Sequence, residues 1–530
     1  MTSSARRWCL GCAAVLVLIT SVPYLVGFSV AGDAWGFSGF VFGVEDGNSY
    51  IAKMRSGAEG AWLFQTPYTT ELQRGVIAFL PYLLLGKLAS PPAMHEQLVA
   101  LFQVARILVI PLEVLATYQF AAFFLDEEKW RRWAVVMATA GGGLGWLLLA
   151  LGQGSWLGSL PLDLHSPESF GFLAIYGIPH LVLGRALLLW GLARYLRALV
   201  HPRAAWVGGA LWLALGLVQP LQLASGYAAV LAHGVALAIR ARVRRDATDL
   251  RPWIGAVGRM VVVSSGAMIY TAVAFSGDPY LRAWTEQNRI LSPHPLHYLA
   301  AYGLVAIPAV VGARWVIRQL PHRGLLLAGW AASLPVLAYV PVNVQRRLPE
   351  GIWLAVCILA AAGLGGLRST HSVSRRWATA LLAASLPSTL VLLAGGLWTA
   401  ARPAPPAFLP AAEVEALEWF EANAEPGSVV LASYSASNAL PAWAPVRVVA
   451  GHGPESASLD ELLPQVEAFY GGESSDRQRI DFLRSQRVDY VFYGPEERSL
   501  GDWDPVGSEF LQHVAGFDSY DLYRVQAGGG

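Results

Sequence analysis

The chain has 530 residues, of which 55% are hydrophobic and only 14% charged, whereas an ordinary soluble domain carries about 25% charged residues. With a mean hydropathy of +0.43, this composition excludes a disordered chain, a collagen-like chain and an ordinary cytosolic enzyme, and reads as a polytopic membrane protein. The 38 basic side chains nearly balance 37 acidic ones, for a net charge of +1, so no global field favours a nucleic-acid partner.

Crossing the hydrocarbon takes about 20 mostly apolar residues. Eleven runs reach that length: 8–30, 98–125, 133–152, 173–196, 204–221, 223–240, 256–275, 297–317, 324–342, 352–367 and 377–400. The first reads as an uncleaved anchor, with no small-x-small cleavage site before Asp33. A further run, 75–89, is short, contains Pro81 and ends at Gly86-Lys87, so it reads as a short or re-entrant helix. With the N-terminus inside, the basic clusters at 129–132, 194–203, 240–251, 314–323 and 368–376 all fall on the cytoplasmic side. Counting 75–89 as a span reverses that bias, so the charges choose eleven spans with the C-terminus outside. Cys9, Cys12 and Cys357 lie in apolar stretches and provide no disulfide framework or zinc cluster. Gly141 to Gly145 sits inside the third span and suits close helix packing rather than phosphate binding.

The expected organisation is therefore a mainly α, polytopic core over 1–400, whose long first outer loop, 31–97, carries short juxtamembrane helices. A stiff Pro-rich linker follows at 401–406, then an extracytoplasmic α/β domain over 407–530. In that domain 428–432, 488–493 and 521–525 read as strands, and 413–423, 458–470 and 475–486 as helices.

The first outer loop is the longest between spans and holds an acidic pair, Glu45-Asp46, then a Trp/Tyr/Pro-rich stretch. The pattern Asp46-x-x-x-Tyr50, an amphipathic turn, Gly60-x-Trp62-Leu63 and a short apolar helix resembles the first periplasmic or luminal loop of GT-C glycosyltransferases. That superfamily includes protein O-mannosyltransferases, lipid A aminoarabinose transferases and the catalytic subunit of oligosaccharyltransferase. The topology resembles theirs as well. Many relatives follow the Asp with Glu, whereas here Glu45 precedes Asp46 and Gly47 follows it. A Trp-Trp-Asp motif is absent, so the likeness reaches the superfamily and not a subfamily.

The resemblance implies an integral membrane enzyme, of the bacterial cell envelope, that moves a sugar from a polyprenyl-phosphate donor to a protein, glycan or lipid acceptor outside the cytoplasm, with inversion. Asp46, with Glu45 second, would take or orient the acceptor's proton; the alternative is that both cap the helix that follows. The lipid-phosphate leaving group would call for outer cations, for which Arg346, Arg347 and Arg106 are the candidates. Arg346 and Arg347 run against the positive-inside trend, with headgroup snorkelling as their alternative. Tyr50, Trp62, Glu286, Asn288 and Arg289 are candidate substrate or lid residues, the 278–289 segment otherwise being an interfacial helix. Asp163, Glu168 and His180 form a weak candidate set for a divalent metal, Mg or Mn. His452, in Gly451-His-Gly-Pro-Glu455, reads as a turn or as loop chemistry. Two rival classes stay open: a lipid or sugar transporter or flippase, and a non-catalytic assembly protein of GT-C shape.

Overall fold

A computed structural model describes residues 1–244, 249–366 and 371–526; the basic runs 240–251 and 368–376 lie partly outside these. The chain is mainly helical, and among the described residues seven helices are long and apolar enough to cross a bilayer: Ser3–Val30, Met94–Ala121, Pro220–Val243, Arg251–Gly277, Pro295–Gln319, Gln345–Gly366 and Val373–Ala400. They correspond to seven of the eleven expected runs. The other four are shorter, broken or more polar. Residues 204–221 give a 15-residue helix, Ala204–Val218. The 324–342 run splits into Pro321–Ala332 and Leu334–Tyr339, and 173–196 into Gly171–Gly177 and Pro179–Ala198. The 75–89 run holds only the seven-residue helix Leu80–Gly86.

The chain forms two compact units, each assembled from discontinuous segments: 1–21, 104–272 and 289–395 in the first, and 22–103, 273–288 and 396–530 in the second. The expected first outer loop and the expected C-terminal domain thus belong to one unit.

In the first unit Ile352–Gly366 is the central helix, buried along almost its whole length. Arg251–Gly277 buries one narrow stripe and leaves Val262, Ile269 and Val273 exposed, as a lipid-facing helix does. The glycine run does allow close approach, since a Cβ on Gly143 would lie 2.5 Å from the Ala301 carbonyl oxygen. It also breaks the expected third span. Glu128–Ala140 stops at Gly141, which is extended, and a new helix starts at Gly145. The backbone N–H groups freed by that break need acceptors in an apolar setting. Asp163 supplies one: its Oδ2 accepts from Gly143 N at 2.9 Å, Gly145 N at 3.0 Å and Ser388 Oγ at 2.6 Å.

The second unit contains both sheets. Strands β1 (Trp35–Phe37) and β2 (Phe408–Pro410) pair antiparallel. A five-stranded mixed sheet has the order β4-β3-β5-β7-β6, with β3 Val429–Leu431, β4 Arg447–Val448, β5 Tyr490–Tyr493, β6 Leu511–Phe517 and β7 Tyr520–Val525. Phe469, Tyr470 and Trp503 pack against it, and Tyr470 donates its hydroxyl to the Leu431 and Phe492 carbonyls. The helix Val44–Ala58 lies against Leu80–Gly86 through two glycines. A Cβ on Gly57 would meet the Leu83 oxygen at 2.1 Å, and one on Gly86 the Met54 oxygen at 1.7 Å.

Asp163→Ala leaves the Gly143 and Gly145 N–H groups buried without an acceptor, at about 1–3 kcal/mol for each orphaned group. A lower thermal midpoint in detergent, partly restored by Asp163→Asn, is the expected outcome.

Candidate functional site

The acidic pair occupies the first turn of Val44–Ala58. Neither side chain caps that helix: its N-cap is Gly43, in the left-handed region at φ 57° and without a side-chain cap bond. The capping alternative for Glu45 and Asp46 therefore falls away, although both carboxylates still face the positive end of the helix dipole. Glu45 Oε1 accepts from the Tyr434 hydroxyl and, at 3.1 Å, from Gly453 N–H. Burial and the Glu45 carboxylate push the Tyr434 phenol up, so it stays a donor. Asp46, like Glu45, is exposed; its side chain is 66% exposed, with Oδ1 3.3 Å from His452 Nε2.

One and two turns further along, the same helix carries Ser49 and Lys53, both buried. Lys53 Nζ lies 2.6 Å from Glu455 Oε1 and also donates to Ser49 Oγ. Ser49 Oγ donates to Glu455 Oε1 at 2.8 Å, and Thr66 Oγ1 to Oε2 at 2.6 Å. The Glu455 main-chain carbonyl accepts from the Tyr280 hydroxyl at 2.7 Å. Burial pushes the Glu455 carboxyl up, but Lys53 and His452 beside it outweigh burial and hold it below the usual carboxylate range. His452 bridges the two acids, its Nδ1 3.4 Å from Glu455 Oε1. Beyond Thr66 a cavity of about 470 Å³ opens, lined by Arg55, Glu59, Gln65, Gln73 and Arg447 among others.

Of the expected lid residues, Tyr50 stacks on Tyr82 at 4.7 Å and Trp62 is exposed beneath Lys87 Nζ. The 278–289 segment forms the helix Pro279–Gln287, which Asp278 caps. It is pinned to the 454–456 turn by Gln287 Nε2, which donates to the Pro454 and Ser456 carbonyls. Glu286 is exposed and Asn288 half-buried, while Arg289 is exposed and belongs to the first unit.

The expected phosphate-binding arginines lie in the first unit. Arg346 and Arg347 are half-buried in the turn Gln345–Arg347. The turn is held by Arg346 N–H to the Ile290 carbonyl and Ile290 N–H to the Asn343 carbonyl. Arg347 Nε is 3.0 Å from Glu168 Oε1. Arg185 braces both loops: its Nε meets Glu350 Oε1 at 2.8 Å and its Nη2 donates to the Pro167 carbonyl. Glu113 is buried with Arg185, its Oε1 3.7 Å from Nη1. Arg106 is buried and donates to Thr20 Oγ1 and Ser21 Oγ. An apolar cavity of about 570 Å³, lined by Tyr298, Tyr302, Pro335, Ala338, Tyr339 and Leu359 among others, lies in this unit. Its Tyr298 and Tyr339 hydroxyls bond to Ser292 and Pro293, just beyond Ile290.

The three metal candidates do not form a cage. Asp163 Oδ2 is taken up by three donors, and Glu168 pairs with Arg347. His180 stands in the first turn of Pro179–Ala198. Among the described residues no cluster of three or more His, Cys, Asp or Glu side chains has a metal-binding arrangement.

Sequence reasoning missed Lys53, Glu455 and Tyr434. Lys53 and Glu455 are 402 positions apart, so no local spacing announces their pairing. The nearest signal was a lysine four residues after a serine on a helix in an otherwise apolar loop.

Lys53→Met strands the Glu455 carboxylate in the interior and destabilises the protein by about 3–5 kcal/mol; Lys53→Met with Glu455→Leu recovers much of that in thermal unfolding. Because the folded value of Glu455 is depressed, its contribution is complete above the ordinary 4.5 and is lost as pH falls through the folded value. The acid-side drop in thermal midpoint is therefore expected to be smaller in Glu455→Gln than in the wild type.

No family profile matches the chain, and no curated protein matches it in sequence. Solved structures do match. Against the Archaeoglobus fulgidus oligosaccharyltransferase tethered to an acceptor peptide, the TM-score is 0.54 at 12% identity, covering 92% of this chain and 69% of that one. The oligosaccharyltransferase AglB of the same organism, in complex with an inhibitory peptide and a dolichol-phosphate, gives 0.51 at 13% identity, covering 93% and 70%. ArnT from Cupriavidus metallidurans bound to undecaprenyl phosphate gives 0.45 at 14% identity, covering 97% and 98%. The chain shares the fold of these oligosaccharyltransferase structures.

Proposed function

From a GT-C fold that sets solvent-facing carboxylates, Glu45 and Asp46, at the head of a helix, we propose that the protein is a membrane glycosyltransferase. It takes a sugar from a lipid-phosphate donor and passes it to an acceptor on the extracytoplasmic side. The observation that carries this reading is Asp46, 66% exposed while its partners Glu455 and His452 are buried. A carboxylate left open to solvent beside a rigid buried network is available to a proton that arrives with a substrate.

In the proposed reaction the acceptor's hydroxyl or amine attacks the anomeric carbon. The bond from that carbon to the phosphate oxygen breaks, and the bonding pair leaves with the lipid phosphate. The acceptor's proton passes to Asp46, and in-line attack inverts the anomeric centre. In the first unit, Arg346 and Arg347 are the cations suited to a lipid phosphate. Their turn is braced on the segment that bonds to Tyr298 and Tyr339, and the apolar cavity those tyrosines line suits a polyprenyl tail. The polar cavity beyond Thr66 suits the acceptor side. Arg106, spent on Thr20 and Ser21, takes the structural role. The fold neighbours agree in kind: the A. fulgidus enzyme was solved with an acceptor peptide and with a dolichol-phosphate.

The test is glycosyl transfer by purified protein in lipid, with labelled polyprenyl-phosphate sugars as donors and membrane extract as acceptor. Asp46→Asn is expected to lower kcat by roughly 10²–10⁴-fold with the fold intact. Arg346→Ala with Arg347→Ala is expected to raise the donor KM as well. Equal transfer by wild type and Asp46→Asn removes Asp46 as the base, and transfer from no donor removes the enzyme reading.

A further inference from the structure

The 451–456 turn is locked onto itself. The N–H groups of Gly451 and His452 donate to Ser456 Oγ at 3.0 and 3.1 Å, and the His452 carbonyl accepts from Glu455 N and Ser456 N. This fixes the imidazole between two carboxylates, with Nε2 3.3 Å from Asp46 Oδ1 and Nδ1 3.4 Å from Glu455 Oε1. The charged and titratable groups around it are Glu45, Asp46 and Lys53 from the Val44–Ala58 helix, Glu455 from its own turn, Tyr68 at 5.4 Å from the first loop, and Tyr434 beside Gly453. Glu455 already receives donors from Lys53, Ser49 and Thr66. A neutral imidazole has one N–H and turns a lone pair toward whichever carboxylate it does not serve, whereas an imidazolium donates to both. The imidazolium and the neutral Nε2–H tautomer both donate to Asp46, while Nδ1 makes no hydrogen bond in the structure.

We propose that His452 is a positioning residue for Asp46: its Nε2–H, aimed by the rigid turn and backed by Glu455, holds the Asp46 carboxylate in the orientation that receives the acceptor's proton. The inference rests on Asp46 serving as the acceptor's base. His452 touches no reacting atom; it acts through the direction in which Asp46 points. A misplacement of about 1 Å in such a group costs on the order of 10²-fold in rate, while donor binding, which the arginine turn handles, is unaffected.

The experiment uses the full chain in lipid nanodiscs, with the histidines labelled in ¹⁵N. The His452 ring signals are identified by their loss in His452→Gln. Asp46→Asn is expected to move the His452 Nε2 signal and its pH titration while leaving those of His513, which pairs with Asp521, in place. A His452 signal that ignores Asp46→Asn overturns the proposal whether or not any sugar is transferred. In the kinetic arm, His452→Ala is expected to lower kcat on the order of 10²-fold with the donor KM unchanged. His452→Gln, whose amide N–H can stand in for Nε2–H, is expected to restore most of the rate and to flatten the pH profile. Equal losses in both variants, tracking equal drops in thermal midpoint, mark a packing role and overturn it too. A wild type that transfers no sugar defeats the proposed function, and the ¹⁵N signals still decide whether His452 holds Asp46.

Discussion

The second unit is organised around one buried ammonium–carboxylate pair, Lys53 with Glu455. Neither partner tolerates the interior alone, because an uncompensated charge there costs several kcal/mol. Each is affordable only when the other arrives with its hydrogen-bonding company. That company comes from three distant parts of the chain: Ser49 on the same helix as Lys53, Thr66 in the loop that follows, and Tyr280 from a helix more than two hundred positions away. Satisfying Glu455 therefore draws these segments together. It also fixes the turn that carries His452, and with it the direction from which Asp46 is approached. The exposed acid stands beside a buried Lys53–Glu455 pair and the imidazole that faces it.

The first unit meets a similar problem with different residues. Arg185 is buried with two carboxylates, Glu350 at 2.8 Å and Glu113 at 3.7 Å. Its remaining donor goes to the Pro167 carbonyl. One guanidinium thus ties the loop that holds Glu168 to the turn that holds Arg347, and Glu168 and Arg347 are themselves paired. An arginine suits this place because its planar fork donates in several directions at once, which a lysine does not. Asp163 does comparable work at the broken helix, where its carboxylate replaces the acceptors that a continuous helix would have supplied.

Much of the secondary structure was legible because it follows from local pattern. The long apolar runs became the long apolar helices. The expected strands at 428–432, 488–493 and 521–525 appear as Val429–Leu431, Tyr490–Tyr493 and Tyr520–Val525, since short β-branched and aromatic runs favour a buried sheet. The helix Tyr434–Trp443 has no counterpart among the expected elements: Ser, Asn and Pro441 are weak helix formers, and tertiary packing overrides that preference. The two-residue strand Arg447–Val448 is too short to leave a pattern. At the third expected span, hydropathy reported a continuous apolar run, and only the position of Asp163 shows that the backbone is interrupted there.

By itself the sequence determined that this is an apolar, multi-helix membrane chain with an acidic pair heading a helix after the first apolar run, because composition, hydrophobic run length and i, i+4 spacing are written locally. It also carried the likeness on which the fold was expected. Only the tertiary structure decided that Asp46 stands open to solvent while Glu45 is tied to Tyr434 and Gly453. Only it decided that His452 belongs to the acid pair, that Lys53 finds its counter-ion in Glu455, and that Asp163 Oδ2 accepts from the broken helix and Ser388. The physical reason is the same in each case. The energy of a buried charge or hydrogen bond depends on which group fills the space opposite it, and that group comes from a part of the chain whose position no local pattern encodes.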